Sequence, residues 1–568
     1  MPAPDIDVAL DDLREGSRAW TALTLSQRAR LLGRVHATMS DTAPDWAAAA
    51  AQSKGLDPGH PLRGEEWLSG PYGAIELVDA LTATLHRLAG GGNPLDGVRV
   101  GSAPGGRVRV AAFPLRPIDS VLLSGFTGEV WLKPGVTEAE ARERAGLAQR
   151  SPGTPGGVGL VLGAGNVTSI PVADVLYELF AHNRVVMLKL NPTQEALLPV
   201  FTRALAPLIE PGFLRVIAGG PEVGAALTTH RGIDHVHITG SAATFERIVW
   251  GDGPQARRRR RENRPALKKP ITAELGGVSP IIVVPGEWSA ADIRFQAEHI
   301  ATMRLQNAGH NCIAGQVVLI SRDWPQRGQF LAALRGAYDR APTRTSWYPG
   351  SAERMDAAAA AYPDALWCAD GTRLLVQTEA GVVPGPIEET EYFAPVLGVI
   401  SLPGVGQQFL DAAVAHANER LTGSLGANIL IDPATEAALG DGVERALADL
   451  RYGAIAINAW TAFVFLTPTL TWSAFPGGTL QDVGSGIGIV HNALLLDDVE
   501  RSVARGPFRP FPRSLSALVR GGRFSVLPKP PWFVSSRTGA TVSEGFTRFR
   551  MHRRWPALAK TMLRAFRA

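Results

Sequence analysis

Cysteine is nearly missing: Cys312 and Cys368 are the only thiols in 568 residues, too few for a disulfide framework and in keeping with a reducing compartment. Lysine is scarce as well, 7 residues against 50 arginines, a bias that reads as genome composition and makes any lysine kept inside an apolar strand stand out. The chain also lacks an excess of either charge. Its 57 basic and 53 acidic residues leave +4, so no whole-surface field invites nucleic acid. No stretch reaches the roughly 18 uninterrupted apolar residues of a spanning helix. The opening MPAPDIDVALDDLREG has neither a basic n-region nor an apolar h-region, and a soluble, cytoplasmic protein is expected. What is present is ordinary globular material, 45% hydrophobic and 19% charged, enough for three to four domains at about 150 residues each.

The rhythm of apolar residues divides the chain. Residues 1–105 carry helical spacing, as in LSQRARLLGRVHATM and AIELVDALTATLHRLAG. Residues 106–150 change to short β-branched runs, RVRVAAF, SVLLSGF and EVWLKPG, expected to form a β hairpin that serves as an oligomerisation arm. From 151 to 275 strands such as GVGLVLGAGN, RVVMLKLNP and HVHITGS alternate with helices, and from 276 to 489 SPIIVVP, VVLI, GVIS and IAIN repeat the pattern. That alternation predicts an α/β protein of two doubly wound domains with ligands at the strands' carboxyl ends. Residues 490–568 turn proline- and arginine-rich and are expected as an extension.

Among residues able to do chemistry, Cys312 lies in QNAGHNCIAG, a polar and glycine-flanked turn that exposes sulfur, although a cysteine is more often a small buried hydrophobe. His310 beside it has no CxxC or second histidine cluster to complete a metal site, so no metal is expected. Glu274 in ITAELGGVSP is either a solvated strand-end carboxylate or a general base raised toward neutrality by an apolar pocket. Asn166 ends the strand GLVLGAGN as a turn residue or an oxyanion donor. GSGIGIV at 484–490 breaks the GxGxxG pattern at Ile489, so no dinucleotide loop of that kind is supported.

In order, GAGN with Asn166, VVMLKLNP with Lys189, HITGS with Gly240 and Ser241, AELGG with Glu274 and Leu275, NAGHNC with Cys312, and EYFAPV with Glu391 and Phe393 resemble the aldehyde dehydrogenase superfamily, over roughly residues 157–488. The resemblance implies a cofactor domain that takes in the N-terminal helices, a catalytic domain, NAD or NADP as cofactor, a small-molecule aldehyde as substrate and a homo-oligomer. It implies Cys312 as nucleophile, Asn166 with the Cys312 backbone N–H as the oxyanion hole, and Glu274 as the base that activates water on the thioester. It places Lys189 at the adenine-side ribose, Gly240 and Ser241 at the pyrophosphate, Leu275 among the cofactor contacts, and Glu391 with Phe393 at the nicotinamide ribose.

The chain departs from the family at several points. Leu190, Asn191 and Pro192 follow Lys189 where Pro-Ser-Glu is usual, which leaves NAD and NADP both open. Phe245 stands where a second glycine is usual, and Gly165 precedes Asn166 in place of Pro-Trp. The Arg257–Arg261 run is expected as a solvated insertion at the strands' amino ends, away from the crevice. AWTAFVFLTPTLTWSAFP is read as core packing or as the wall of a tunnel, and the second reading implies an apolar aldehyde as substrate. The closing WPALAKTMLRAFRA places Trp555, Leu558, Met562, Leu563 and Phe566 on one helical face, a basic segment suited to a weak membrane or partner contact. Two other functions compete: an acylating dehydrogenase or acyl-thioester reductase, against which Glu274 speaks, and a non-catalytic scaffold, against which Cys312, Glu274 and Asn166 together speak.

Overall fold

A computed structural model describes residues 6–381, 383–520 and 522–568, so the first five residues of the N-terminal stretch lie outside it. The helical spacing near the start becomes Leu25–Ser53 and Gly73–Ala89, preceded by Ile6–Ala22. Leu25–Ser53 begins at a reciprocal cap in which Thr24 and Gln27 satisfy each other's backbone N–H groups. Its buried residues Leu32, Val35, Met39 and Trp46 join one core with Val78, Leu81 and the first sheet.

That sheet has six strands in the order 486–487, 271–275, 235–240, 158–162, 185–189, 214–217. All pair in parallel except Gly486–Ile487 at the edge. The order reverses between Val158–Leu162 and His235–Gly240, so a crevice opens beyond their carboxyl ends, where Asn166 and Ser241 follow.

The second sheet has eleven strands. Ser279–Val283, Gly315–Ser321, Val396–Leu402, Gly426–Leu430 and Ala454–Ile457 form its parallel centre. The expected arm continues this sheet within one chain. Arg107–Phe113 pairs with Thr127–Leu132, which pairs with Val499–Arg505, itself parallel to Ala454–Ile457. The boundaries read at 106–150 and at 490 therefore do not fall at an edge of the sheet.

SVLLSGF was expected as a strand, yet Pro117–Leu122 is a helix. Pro117 presets the first turn, and Asp119 accepts from the Arg116 backbone N–H, so the cap outweighs the β-branched composition. The arginine run forms an exposed helix, Gly253–Arg261.

Residues after 505 wrap back over the molecule. Gly539–His552 and Trp555–Ala565 form a helical hairpin whose Val542, Phe546, Phe549 and Leu558 pack against Leu68, Tyr72 and Leu122. Arg550 is buried there between Glu76 at 2.7 Å and Asp119 at 3.0 Å. The five apolar residues read on one face of the last helix divide: Leu558 is buried, while Trp555, Leu563 and Phe566 face solvent. Among the described residues no helix is long and apolar enough to cross a membrane.

Candidate active site

Cys312 sits between the helix Ala290–Leu305 and the strand Gly315–Ser321. The chain reaches it through three left-handed residues, Asn307 (φ 55°), Ala308 (φ 55°) and Gly309 (φ 78°). An alanine there costs on the order of 1–3 kcal/mol and persists only where the surroundings over-determine the turn. Those surroundings come from far away in sequence. The Asn307 backbone N–H donates to Glu65 at 3.1 Å, and its side-chain carbonyl accepts from Lys54 at 3.2 Å. Lys54 pairs with Glu66 at 2.9 Å and Glu65 with Arg344 at 2.7 Å, both pairs buried. Asn307 Nδ2 also lies 3.1 Å from the Asn166 carbonyl oxygen, tying this turn to the one that carries Asn166. Sequence reasoning missed Lys54, Glu65, Glu66, Asn307 and Arg344. One signal was available, since Lys54 is one of few lysines and follows an apolar alanine run.

Glu274 ends the strand Ile271–Leu275 one residue early, is 1% exposed, and neither of its carboxylate oxygens has a hydrogen-bond partner. It faces Cys312 and Trp472, and burial pushes its pKa up to about 7. Burial also pushes the Cys312 thiol up, with the Glu274 carboxylate adding to the effect, so the resting group is the thiol. Glu391 is a second buried carboxyl, raised to about 8 chiefly by burial. It lies over Gly276, where a Cβ would come within 1.9 Å of its Oε1, so any larger residue at that position of the ELGG turn would push the Glu391 carboxyl out of place. Phe393, at φ 45°, is held by Arg354, which donates to the Tyr392 carbonyl at 2.6 Å and the Phe393 carbonyl at 3.3 Å.

A cleft of about 740 Å³ gathers these groups. Asn166, Gly240, Ser241, Glu274, Leu275, Cys312, Glu391 and Phe393 all line it, with Thr239, Tyr348 and Arg354, which the sequence did not suggest. Ser241 caps the helix Ala242–Trp250 by accepting from the Thr244 N–H at 3.2 Å, so that helix presents its amino end to the cleft. Lys189 is the exception among the expected residues. It stands buried at the end of its strand, outside the cleft lining, with burial lowering its pKa and the Glu195 and Glu222 carboxylates opposing that. Asn166 donates to the His310 carbonyl at 2.9 Å.

A second cavity of about 1180 Å³ reaches Asn166 and Cys312 from the other side. Most of its large apolar walls come from Leu62, Leu68 and Tyr72, from Trp460, Phe463, Phe465 and Trp472, and from Trp532, Phe533 and Phe546. The aromatic stretch at 459–476 thus lines a cavity as well as packing in the core. Cys312 stands in the wall between an apolar tunnel and a polar cleft.

Beneath the cleft runs a buried polar row. His235, His237 and Thr239 alternate onto one face of their strand, opposite Asp174 and Glu178 one helical turn apart on Ile170–His182. His237 lies 3.1 Å from Thr239 Oγ1, Thr239 donates to Asp174 at 3.0 Å, and His491 lies 3.2 Å from Asp174. The two imidazoles hold Asp174 down at about 2 against its burial. Two histidines spaced by two in HVHITG were the visible sign of this row, but their partners were not.

Known proteins resemble this chain in sequence and in fold. The profile of the aldehyde dehydrogenase family matches residues 135–346. An N-succinylglutamate 5-semialdehyde dehydrogenase of Chromobacterium violaceum is 25% identical over 449 residues, which is 75% of this chain and 76% of that protein. Aldehyde dehydrogenase C of Pseudomonas syringae, solved as a mutant with NAD+ and octanal, superposes with TM-score 0.59 at 18% identity over 89% of both chains. An NADP-dependent glyceraldehyde-3-phosphate dehydrogenase of Bacillus halodurans, solved with NADP, superposes at 0.56 with 17% identity, covering 88% of this chain and 90% of that one. At these identities the structural likeness is one of fold.

Proposed function

We propose that the protein is an NAD(P)-dependent member of the aldehyde dehydrogenase superfamily that oxidises an apolar aldehyde to the carboxylic acid through a thiohemiacetal and then a thioester on Cys312. One observation carries the reading: Cys312 stands where the apolar tunnel meets the polar cleft, beside a buried carboxylate with no partner of its own. The tunnel suits the aldehyde. The cleft suits the cofactor, since a helix amino end at Ser241 favours a pyrophosphate and the unpartnered buried Glu391 Oε1 favours a ribose hydroxyl.

Chemistry follows from the charges. Glu274 takes the proton of the Cys312 thiol, and the sulfur bonds to the aldehyde carbon, turning the carbonyl oxygen into an oxyanion. One Asn166 amide hydrogen is committed to His310, and the other is left, with the Cys312 backbone N–H, for that oxyanion. NAD or NADP, when bound, supplies the hydride acceptor. Glu274 releases that first proton to solvent and, ionised again, deprotonates a water that attacks the thioester carbon; the C–S bond breaks and the leaving sulfur takes the proton back from Glu274, restoring the thiol. Glu274 must be ionised for both transfers, so turnover rises as pH passes through about 7.

The test uses purified protein with NAD or NADP and a range of aldehydes, following cofactor reduction. Cys312→Ala abolishes all reduction. Glu274→Gln gives at most one equivalent of reduced cofactor per site, then stalls. Steady turnover in Cys312→Ala, or undiminished turnover in Glu274→Gln, overturns the assignment.

A further inference from the structure

The last 68 residues carry a charge unlike the rest. Residues 501–568 contain 15 basic residues and one acidic one, Glu544, so the first 500 residues are net −10 in a chain of +4. Several of these cations fasten the segment to the body, as Arg509 does with Asp292, Lys529 with Glu298 and Arg550 with Glu76. Another group faces outward. Arg554, Lys560, Arg564 and Arg567 are exposed and pair with no carboxylate among the described residues.

The same helix is apolar on two sides. Leu558 and Ala565 are buried against the neighbouring helix, while Trp555 (60% exposed), Leu563 (70%) and Phe566 (45%) point to solvent, spaced as positions i, i+8 and i+11 on one stripe. The stripe does not stand alone. Phe566 meets Phe511 edge to face at 5.7 Å, and the short helix that follows Phe511 exposes Leu518 and Val519. An aqueous surface gains nothing from this patch.

We propose that this face docks on an anionic lipid bilayer, with the apolar stripe seated among the acyl chains and the four unpaired cations among acidic headgroups. Nucleic acid would reward the cations but leave Trp555, Leu563 and Phe566 wet, whereas a bilayer interface satisfies both. Position connects the face to the chemistry. The helix Trp555–Ala565 packs directly on Gly539–His552, whose Phe546 lines the apolar tunnel together with Trp532 and Phe533. The docking face is thus one helix away from the tunnel wall, and a membrane-dissolved, long-chain aldehyde is the substrate class this placement serves. The substrate part rests on the dehydrogenase reading; the docking part does not.

The experiment sediments the full-length protein with vesicles of phosphatidylcholine alone and of phosphatidylcholine with phosphatidylglycerol. Binding is expected only to the anionic vesicles and is lost at ~1 M salt, where the screening length falls to about 3 Å. The double variant Lys560→Gln/Arg564→Gln weakens it roughly 25-fold, at about fivefold per cation. Leu563→Asp abolishes it. None of these residues lines the tunnel or the cleft, so all three proteins keep wild-type turnover of a short, soluble aldehyde. With a long-chain aldehyde dissolved in the vesicles, wild type gains several-fold on anionic over neutral lipid, and the variants lose that gain. Wild type that stays in the supernatant at low salt, or variants that bind as wild type does, overturn the docking. Light scattering that gives a dimer which Leu563→Asp dissociates also overturns it, because a second copy then covers the face. A wild type that binds but oxidises no aldehyde would sink the dehydrogenase reading and leave the docking standing.

Discussion

Burial disfavours the ionised form of Glu274, and that has a measurable cost. Its carboxyl titrates at about 7 in the fold against 4.5 ordinarily, so between those values the folded protein keeps a proton that the unfolded chain has released. Stability therefore falls as pH rises from about 4.5 to about 7 and is flat above, by on the order of 3 kcal/mol. Glu391, raised to about 8, adds a loss of the same sign that continues to about 8. Glu274→Gln keeps the shape and removes the ionisation, so it raises the apparent Tm by scanning calorimetry at pH 8 and leaves it little changed at pH 4. An equal gain at both pH values would mean that the carboxylate is not the strained group. The same substitution removes the negative charge that holds the Cys312 thiol up. Alkylation of Cys312 by iodoacetamide in cofactor-free protein then has its pH midpoint shifted down, a readout independent of turnover.

The turn that carries Cys312 is an element with borrowed rigidity. Left-handed Asn307 and Ala308 are kept in place by Lys54, Glu65, Glu66 and Arg344, which come from the N-terminal helices and from a loop after the nucleophile. Lys54→Met leaves Glu66 buried without a cation, which costs about 3–5 kcal/mol. The expected outcome is a clear drop in Tm and slower alkylation of Cys312, with Lys54→Met/Glu66→Gln recovering much of the stability. If the single variant is as stable as wild type, the ion pair does not hold the turn. This element also marks how far the sequence was legible. Asn166, Gly240, Glu274 and Cys312 stand at strand ends or in turns whose neighbours in sequence announce them, and each reaches the one cleft. Lys54 and Arg344 meet Asn307 and Glu65 only through tertiary packing, which no local pattern records. Lys189 was noticed for the opposite reason, a charge inside an apolar strand, yet it stands at the same carboxyl end of the sheet without lining the cleft. Pro117–Leu122 was misread because β-branched composition was weighed without the proline and Asp119 that start a helix.

At the scale of the whole molecule the tunnel is the product of stretches that run from residue 61 to residue 546, and the extension after residue 505 is one of its walls. Deleting that extension is not a usable test, since it would expose Leu68, Tyr72 and Leu122 and remove one of the two arginines paired with Glu76. Substrate length probes the assembly without disturbing it. Each methylene that leaves water for an apolar wall gains about 0.8 kcal/mol, so kcat/KM across a series of linear aldehydes should climb about fourfold per carbon until the tunnel is filled. Trp532 is only partly buried and stacks edge-on against Phe126 at 5.8 Å, so its truncation removes tunnel wall without emptying the core. Trp532→Ala leaves the short aldehydes unchanged, because the groups around Cys312 are untouched, and flattens the climb at the long end. A wild-type series that does not climb would mean the tunnel is not where the aldehyde chain lies. A uniform loss at every length in Trp532→Ala would mean that this wall supports the site's shape and does not contact substrate.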